Sequence, residues 1–164
     1  MSDRFAAMRV LAVSIALDEV GKNVREDIAG NRGTHIDKYL KRANSPLDAG
    51  HNWCGMFVNW VFMEAASRLG QIFPIPPGTM WSGPKLKRWA ETNWESMVWE
   101  FPLLAGDIYV MNKGHIGMVR APTHEGSDLM FTIDGNQSTF TAGGISLVQR
   151  TRSFSDMDTL IRIV

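Results

Sequence analysis

The chain has 164 residues, and its 17 basic and 17 acidic side chains give a formal net charge of zero at pH 7. This balance argues against a nucleic-acid binder that neutralises phosphates, and against adhesion to an acidic membrane or wall by charge alone. An apolar content of 45 % and a charged content of 21 % are typical of a globular protein, and the length favours a single domain over residues 1–164.

The first half of the chain carries apolar residues at helical spacing. We predict a helix from Phe5 to about Val20, ended by Gly21, and a second helix that Thr34 could cap. The apolar segment 5–17 also suggests a signal peptide, but charged residues interrupt it and no convincing cleavage site follows. We therefore interpret it as a helix of the domain and expect synthesis in the cytoplasm without a secretion signal. No apolar run is long enough to span a bilayer.

Cys54 is the only cysteine, and it begins a third predicted helix that runs to about Leu69 and ends at Gly70. A thiol at a helix N-terminus meets unpaired N–H groups and the positive end of the helix dipole, which favours the nucleophilic thiolate. A lone cysteine more often simply packs in a core. Cys54 is therefore a candidate nucleophile only if the chain also supplies a base.

The apolar pattern changes from helical to alternating after Pro102. A short helix from Pro84 to about Thr92 precedes the change. The predicted strands are 107–111, 115–120, 129–134, 145–149 and 160–164. Helices followed by strands predict an α+β fold, with N-terminal helices packed on an antiparallel sheet of about five strands.

The strands supply a candidate base and a group to orient it. In the second predicted strand, His115 shares a face with Gly117, where the absent side chain would let the Cys54 helix approach. In the third predicted strand, Asp134 and Asn136 share a face if the strand continues through Gly135. Either side chain could accept a hydrogen bond from the second ring nitrogen of His115. Together these residues resemble the nucleophile, base and orienter of a cysteine hydrolase.

Each of these residues also has a simpler interpretation. A histidine on a strand is often satisfied in a core, and residues 134–136 form an ordinary turn sequence. A metal site is a second possibility, because His51, Cys54 and His115, with Asp134, carry the ligands that transition metals prefer. A third is a catalytically silent binding module, although the presence of both Cys54 and His115 speaks against it.

Four short segments resemble the motifs of CHAP domains, the cysteine- and histidine-dependent amidohydrolases/peptidases. Residues 53–58, Trp-Cys-Gly-Met-Phe-Val, are similar to the nucleophile motif, usually Trp-Cys-Ala-x-Phe-Val. Residues 102–107 resemble the Pro-x-x-Gly-Asp run, residues 114–119 the Gly-His-Val-Gly-Ile-Val strand, and residues 132–136 the Thr-x-Glu-Gly-Asn motif. The resemblance extends from about Asn31 to about Asn136.

This resemblance implies a papain-like fold of the broader NlpC-type group, without a cofactor, and cleavage of amide bonds in bacterial peptidoglycan. The bond would be either the N-acetylmuramoyl–L-alanine bond or one within the stem peptide. The family's usual Glu is Asp134 here, so the orienting role is divided between Asp134 and Asn136, with Asp134 favoured. The segment before Cys54 offers only Asp48 for the calcium loop of some members, and we expect no structural calcium.

In the implied acyl transfer, the Cys54 thiolate attacks the amide carbonyl, and His115 protonates the leaving amine and then activates water. The Cys54 N–H would stabilise the oxyanion, with the Asn52 side chain as a candidate second donor or, equally, a simple helix cap. Tryptophans near the nucleophile and in the segments between it and the base are candidate substrate-binding residues. They are Trp53, Trp81, Trp94 and Trp99.

An enzyme of this kind without a signal peptide needs another route to the wall. A phage lysin released through a holin fits, and so does an antibacterial effector delivered to the periplasm by type VI secretion. The effector would require an immunity protein that blocks the cleft, and a compact neutral domain suits it slightly better. The expected partners are therefore peptidoglycan and an immunity protein, without nucleic acid or membrane insertion.

Overall fold

The computed structural model describes residues 3–45, 50–98, 102–124, 126–139 and 144–164. They form an α+β fold in which the helices precede a five-stranded antiparallel sheet, as predicted. The helices are α1 (Ala6–Gly21), α2 (Ile36–Arg42), α3 (Cys54–Leu69) and α4 (Gly83–Thr92). The strands are β1 (Ile108–Met111), β2 (Ile116–Val119), β3 (Leu129–Thr139), β4 (Gly144–Ser153) and β5 (Met157–Ile161). Their order across the sheet is β4-β3-β2-β1-β5.

Helix α3 is the central element of the core. Its predicted bounds are confirmed, and Gly70 ends it with a left-handed φ of 63°, which glycine adopts without strain. It contacts α1 and α2 on one side and strands β2 and β3 on the other. Because α3 is buried from both sides, the position of Cys54 at its first residue is fixed by the whole core.

Helix α1 belongs to the folded domain, as predicted for the apolar segment 5–17. Met8, Ala12 and Ile15 are buried in the main core. Arg9 is also buried, pairing with Asp3 and donating a 2.7 Å hydrogen bond to the carbonyl of Ile163. Across the parts of the chain that the structure describes, none of the helices combines the length and apolarity needed to cross a bilayer.

Two predicted helix boundaries are wrong by a residue or two. Gly21 is the last residue of α1 rather than a stop after it. Helix α2 begins at Ile36 and not at a Thr34 cap, because both the N–H and the hydroxyl of Thr34 donate to Asp27 at 2.9 Å. The side chain that was expected to cap the helix is therefore used to close the preceding loop.

The helices cover one face of the sheet, and a smaller apolar cluster covers the other. Ile116 and Met118 of β2 belong to the main core, whereas Tyr109 and Val119 belong to the second cluster. The prediction that α3 approaches at Gly117 is wrong, because a Cβ there would lie 2.3 Å from the Tyr109 hydroxyl oxygen. Gly117 instead makes room for the Tyr109 ring beneath the sheet.

Strands β3 and β4 are longer than predicted, and a bulge interrupts their pairing. Asp134 pairs with Val148 and Gln137 with Ser146, so two residues of β3 stand opposite Leu147 alone. One of these two, Asn136, has a φ of 56°, a left-handed value that asparagine tolerates better than most residues. The Asp-Gly-Asn sequence therefore makes a bulge within a strand and not a chain reversal. Strand β5 starts earlier than predicted because Met157 and Thr159 already pair with β1.

Candidate active site

Cys54 lies at the N-terminus of α3, with 8 % of its surface exposed. Gly55 allows this end of the helix to pack closely, since a Cβ there would lie 2.0 Å from the Met80 carbonyl oxygen and 2.7 Å from the Ile116 side chain. The family motif has Ala at this position. In this chain the short 3-10 turn that carries Met80 occupies the space of that methyl group, and the Cys54 end of α3 packs against β2.

His115 is the residue just before β2, at the turn that joins it to β1. Its Nε2 lies 2.7 Å from Oδ1 of Asp134, and a hydrogen bond with the ring lowers the pKa of the Cys54 thiol against the effect of burial. The structure thus brings together the three side chains that the sequence proposed as nucleophile, base and orienter.

Asp134 is completely buried, yet its carboxylate is fully supplied with donors. Oδ1 accepts from the Tyr109 hydroxyl, from His115 and, at 2.9 Å, from Nη2 of Arg152. Oδ2 accepts from the Thr132 hydroxyl at 2.6 Å. A buried carboxylate is stable only when it is paired and hydrogen-bonded in this way, so the surroundings of Asp134 keep it an anion.

The electrostatics of the site favour a thiolate–imidazolium pair. Burial raises the pKa of Cys54, but the hydrogen bond and charge of His115 outweigh it, and the net pKa lies below the ordinary value of 9.0. Burial lowers the pKa of His115, while the bonds to Asp134 and Cys54 raise it, to about 9 from 6.5. Burial raises the pKa of Asp134, but its bonds to His115 and the other donors bring it from 3.8 to about 2.

The bulge in β3 decides which side chains face the imidazole. In a regular strand Asn136 would share the face of Asp134, but the extra residue moves Gln137 onto that face instead. Nε2 of Gln137 lies 3.2 Å from Nδ1 and 3.4 Å from Nε2 of His115. The proposal of Asn136 as the orienter is therefore wrong for this geometry: Asp134 bonds the ring, and Asn136 lines the neighbouring groove.

Four site residues were missed in the sequence: Tyr109, Thr132, Gln137 and Arg152. The alternation of β3 could have indicated Thr132, which precedes Asp134 by two residues on the same face. Gln137 can be recognised as a site residue only when the β3 bulge is known, because the bulge brings it onto the face of Asp134. Arg152 lies beyond the predicted end of the fourth strand, and Tyr109 reaches Asp134 through the space left at Gly117.

A groove of about 490 Å³ opens beside the sulfur. Its lining residues include Asn52, Trp81 and Lys113, together with Cys54 and His115. Trp81 is fixed by a 2.8 Å hydrogen bond from its Nε1 to the Ala43 carbonyl. No side-chain cap is formed at the start of α3, so the simple capping role of Asn52 does not apply and its side chain lies in the groove.

The other tryptophans differ from the prediction. Trp53 is completely buried, and its Nε1 donates to Glu26 at 3.0 Å. Its ring packs under the bulge, since a Cβ on Gly135 would lie 2.8 Å from it. The prediction of Trp53 as a substrate contact is therefore wrong. Trp94 begins a short 3-10 turn, but its side chain lies outside the described part of the chain, as does the whole of Trp99.

The geometry contradicts the metal site that was considered as an alternative. Within residues 3–45, 50–98, 102–124, 126–139 and 144–164, no three His, Cys, Asp or Glu side chains converge on one point where a metal could bind. Nδ1 of His51 instead lies 2.9 Å from the Ser45 hydroxyl, and its ring packs beside Trp81. Asp48, the one acidic residue considered for a calcium loop, lies outside the described residues.

Comparisons with protein-family models, with curated proteins and with solved structures find no match to this chain. The functional proposal therefore depends on the geometry of Cys54, His115 and Asp134 and on the resemblance of the motifs that contain them.

Proposed function

We propose that the protein is a cysteine hydrolase that cleaves amide bonds in bacterial peptidoglycan. The observation that carries the proposal is the convergence of Cys54, His115 and Asp134 beside an open groove that Cys54 and His115 line. The three lie far apart along the chain, and each is held by a different element of the fold. The lowered thiol pKa and the raised imidazole pKa support a nucleophilic role, because both shifts favour the reactive ion pair.

The reaction begins when the Cys54 sulfur bonds to the amide carbonyl carbon and the carbonyl oxygen becomes an oxyanion. The backbone N–H of Cys54, in the first turn of α3 where N–H groups lack helical acceptors, would stabilise that charge, with Asn52 as the candidate second donor. As the C–N bond breaks, imidazolium His115 gives its proton to the departing amine. The neutral ring then takes a proton from water, which attacks the thioester carbonyl. The C–S bond breaks, which releases the carboxylate product and returns Cys54 as a thiolate beside the protonated His115.

Peptidoglycan as the substrate is supported by the resemblance to CHAP domains, and an open groove suits a polymer with peptide branches. The bond cut is either the N-acetylmuramoyl–L-alanine bond or an amide of the stem peptide. Digestion of purified peptidoglycan, followed by mass spectrometry of the fragments, identifies it from the new ends. We expect new carboxyl and amino ends with the wild type and none with Cys54→Ser or His115→Ala. Intact peptidoglycan after incubation with the wild type would contradict the proposal.

We further propose an antibacterial or lytic role, either as a phage lysin or as an effector delivered by type VI secretion and neutralised by an immunity protein in the cleft. Expression directed to the periplasm should lyse cells, whereas expression in the cytoplasm should not. Relief of this toxicity by the product of a neighbouring gene would identify the effector. Accumulation of active enzyme in the periplasm without harm to the cells would count against both the phage-lysin role and the effector role.

A binding module that has lost its activity would contain an inert thiol. Labelling with iodoacetamide at pH 6 separates the two cases, since only a thiolate reacts quickly at that pH. We expect rapid alkylation of Cys54 in the wild type and slow alkylation in His115→Ala. Equally slow labelling of both would favour the binding module.

A further inference from the structure

Arg152 is the least expected member of the site, because it brings a buried positive charge next to a histidine that must itself be protonated. It lies on β4 opposite Met130, on the face of the sheet that carries Thr132 and Asp134. Only 14 % of its side chain is exposed. Asp134 already has Tyr109, Thr132 and His115 as donors, so the carboxylate does not need Arg152 merely to be satisfied.

A single nitrogen of Arg152 joins the two side chains that flank the imidazole. Nη2 donates to Oδ1 of Asp134 and to Oε1 of Gln137, both at 2.9 Å. Because the guanidinium has only donors, it fixes the Gln137 amide with its oxygen toward Arg152. The NH₂ group must then face the other way, toward His115.

The NH₂ group of Gln137 lies beside the His115 ring and is not directed at one ring nitrogen alone. It donates to the Asn136 carbonyl at 3.0 Å and lies at nearly equal distances from the two ring nitrogens of His115. The imidazole thus has Asp134 at Nε2 and the Gln137 amide beside it. Both neighbours are held in place by the same guanidinium.

We propose that Arg152 and Gln137 are positioning residues for His115: Arg152 locks the Asp134 carboxylate and the Gln137 amide in the orientations that hold the imidazole toward Cys54. The effect on catalysis rests on the proposed function, whereas the effect on the position of the His115 ring does not. Arg152 also limits how strongly the site stabilises the imidazolium, because a second positive charge shares the Asp134 oxygen. This keeps the ring able to release its proton to a leaving amine.

The Nε atom of Arg152 is buried and has no hydrogen-bond partner in the described part of the chain. An unsatisfied buried donor costs stability, and apolar replacement of a buried charge can be neutral or stabilising for folding. This unpaired donor offsets part of what Arg152 adds to stability, whereas both hydrogen bonds of Nη2 are directed at the side chains around His115.

The test compares Arg152→Met, Arg152→Lys and Gln137→Met with the matched control Arg150→Met. Arg150 lies two residues earlier on β4, and its guanidinium donates to the Ser138 carbonyl instead of the triad. With peptidoglycan fragments as substrate, we expect kcat to fall about tenfold to a hundredfold in Arg152→Met and Gln137→Met with KM unchanged, because a misplaced group loses rate rather than binding. Arg150→Met should keep the wild-type kcat.

The pH dependence separates the two positioning residues. Loss of the Arg152 charge should raise the pH at which His115 deprotonates, whereas Arg152→Lys should return it toward the wild-type value. Gln137→Met changes no charge and should leave that pH unchanged. NMR titration of His115 and the pH dependence of Cys54 alkylation report these shifts without any substrate, so they remain decisive if peptidoglycan is not cleaved.

Two outcomes would overturn the inference. One is that Arg152→Met and Gln137→Met both keep the wild-type kcat and the wild-type pH of His115 deprotonation. The other is a loss of activity that matches a loss of folding stability and appears equally in Arg150→Met. Thermal unfolding of each variant distinguishes the second outcome from a positioning effect.

Discussion

At the scale of single residues, Asp134 determines the state of the site. Its carboxylate accepts hydrogen bonds from Tyr109 of β1, Thr132 of β3 and Arg152 of β4, and its bond to Nε2 of His115 fixes the imidazole. Asp134 therefore orients the candidate base and, against the effect of burial, helps to raise its pKa, as Cys54 also does.

Replacement of Asp134 should be far more damaging than replacement of Asn136. In Asp134→Asn we expect kcat to fall by about a hundredfold or more, because the neutral amide removes the anion that stabilises the imidazolium, although its oxygen can still accept a hydrogen bond from Nε2. Asn136→Gly is the matched control: glycine accepts the φ of 56° at this position, so the bulge stays intact. A larger loss in Asn136→Gly than in Asp134→Asn would contradict the assignment.

The activity should have a bell-shaped pH profile. The acid limb should lie below pH 9.0, because the Cys54 pKa is lowered from that value, and the alkaline limb should lie near pH 9, where His115 loses the proton that the leaving amine needs. The measurement is kcat/KM for peptidoglycan fragments between pH 5 and pH 11. An activity that only rises, with a midpoint near 9, would indicate an ordinary thiol without an imidazolium partner.

At the scale of the secondary-structure elements, α3 and the β3 bulge position the candidate catalytic groups, and the sequence predicts these two elements with unequal success. The bounds of α3 follow from its apolar stripe and its terminal glycine. The bulge does not follow from alternation, which is why Asn136 was predicted in place of Gln137. The adjacent Gly135 and Asn136, residues that tolerate unusual backbone angles, are the available sequence signal for it.

Gly55 should be required for the close approach of α3 to the loop at Met80. In Gly55→Ala the new methyl group would collide with the Met80 carbonyl, 2.0 Å away, so we expect a loss of about 1–3 kcal/mol in unfolding free energy and a lower kcat. Gly21→Ala is the control, since nothing lies within 4 Å of a Cβ there and α1 should be as stable or more so. Denaturant unfolding and kcat are measured on both. A fully active and stable Gly55→Ala would show that the loop moves aside without cost.

At the scale of the whole molecule, the α+β fold and the meeting of Cys54, His115 and Asp134 were predictable from the sequence, because periodicity and motif order carry that information. The network behind them was not. Arg152 meets Asp134 because of the register of β4 against β3, and Tyr109 meets it through the space left by Gly117. Both contacts depend on how the strands pair in the folded protein. The burial of Trp53 is likewise a consequence of packing under the bulge, as no local pattern separates a buried tryptophan from a groove-lining one.

The fold as a whole should depend on pH through Asp134. Its pKa is lowered from 3.8 to about 2, so its contribution to stability is fully present above pH 3.8 and is lost as the pH falls through 2. That contribution is about 2 kcal/mol. We expect the unfolding free energy of the wild type to fall by this amount more than that of Asp134→Asn between pH 5 and pH 2. Parallel curves for the two proteins would contradict the charged, hydrogen-bonded state of Asp134.

Digestion of peptidoglycan in water enriched in heavy oxygen tests the central claim most directly, because hydrolysis of an acyl-Cys54 thioester transfers one solvent oxygen to each new carboxyl group. We predict one heavy oxygen at every new carboxyl end produced by the wild type, and no new ends with a folded Cys54→Ser variant. Failure of the wild type to produce labelled carboxyl ends, or equal production by Cys54→Ser, would contradict the account.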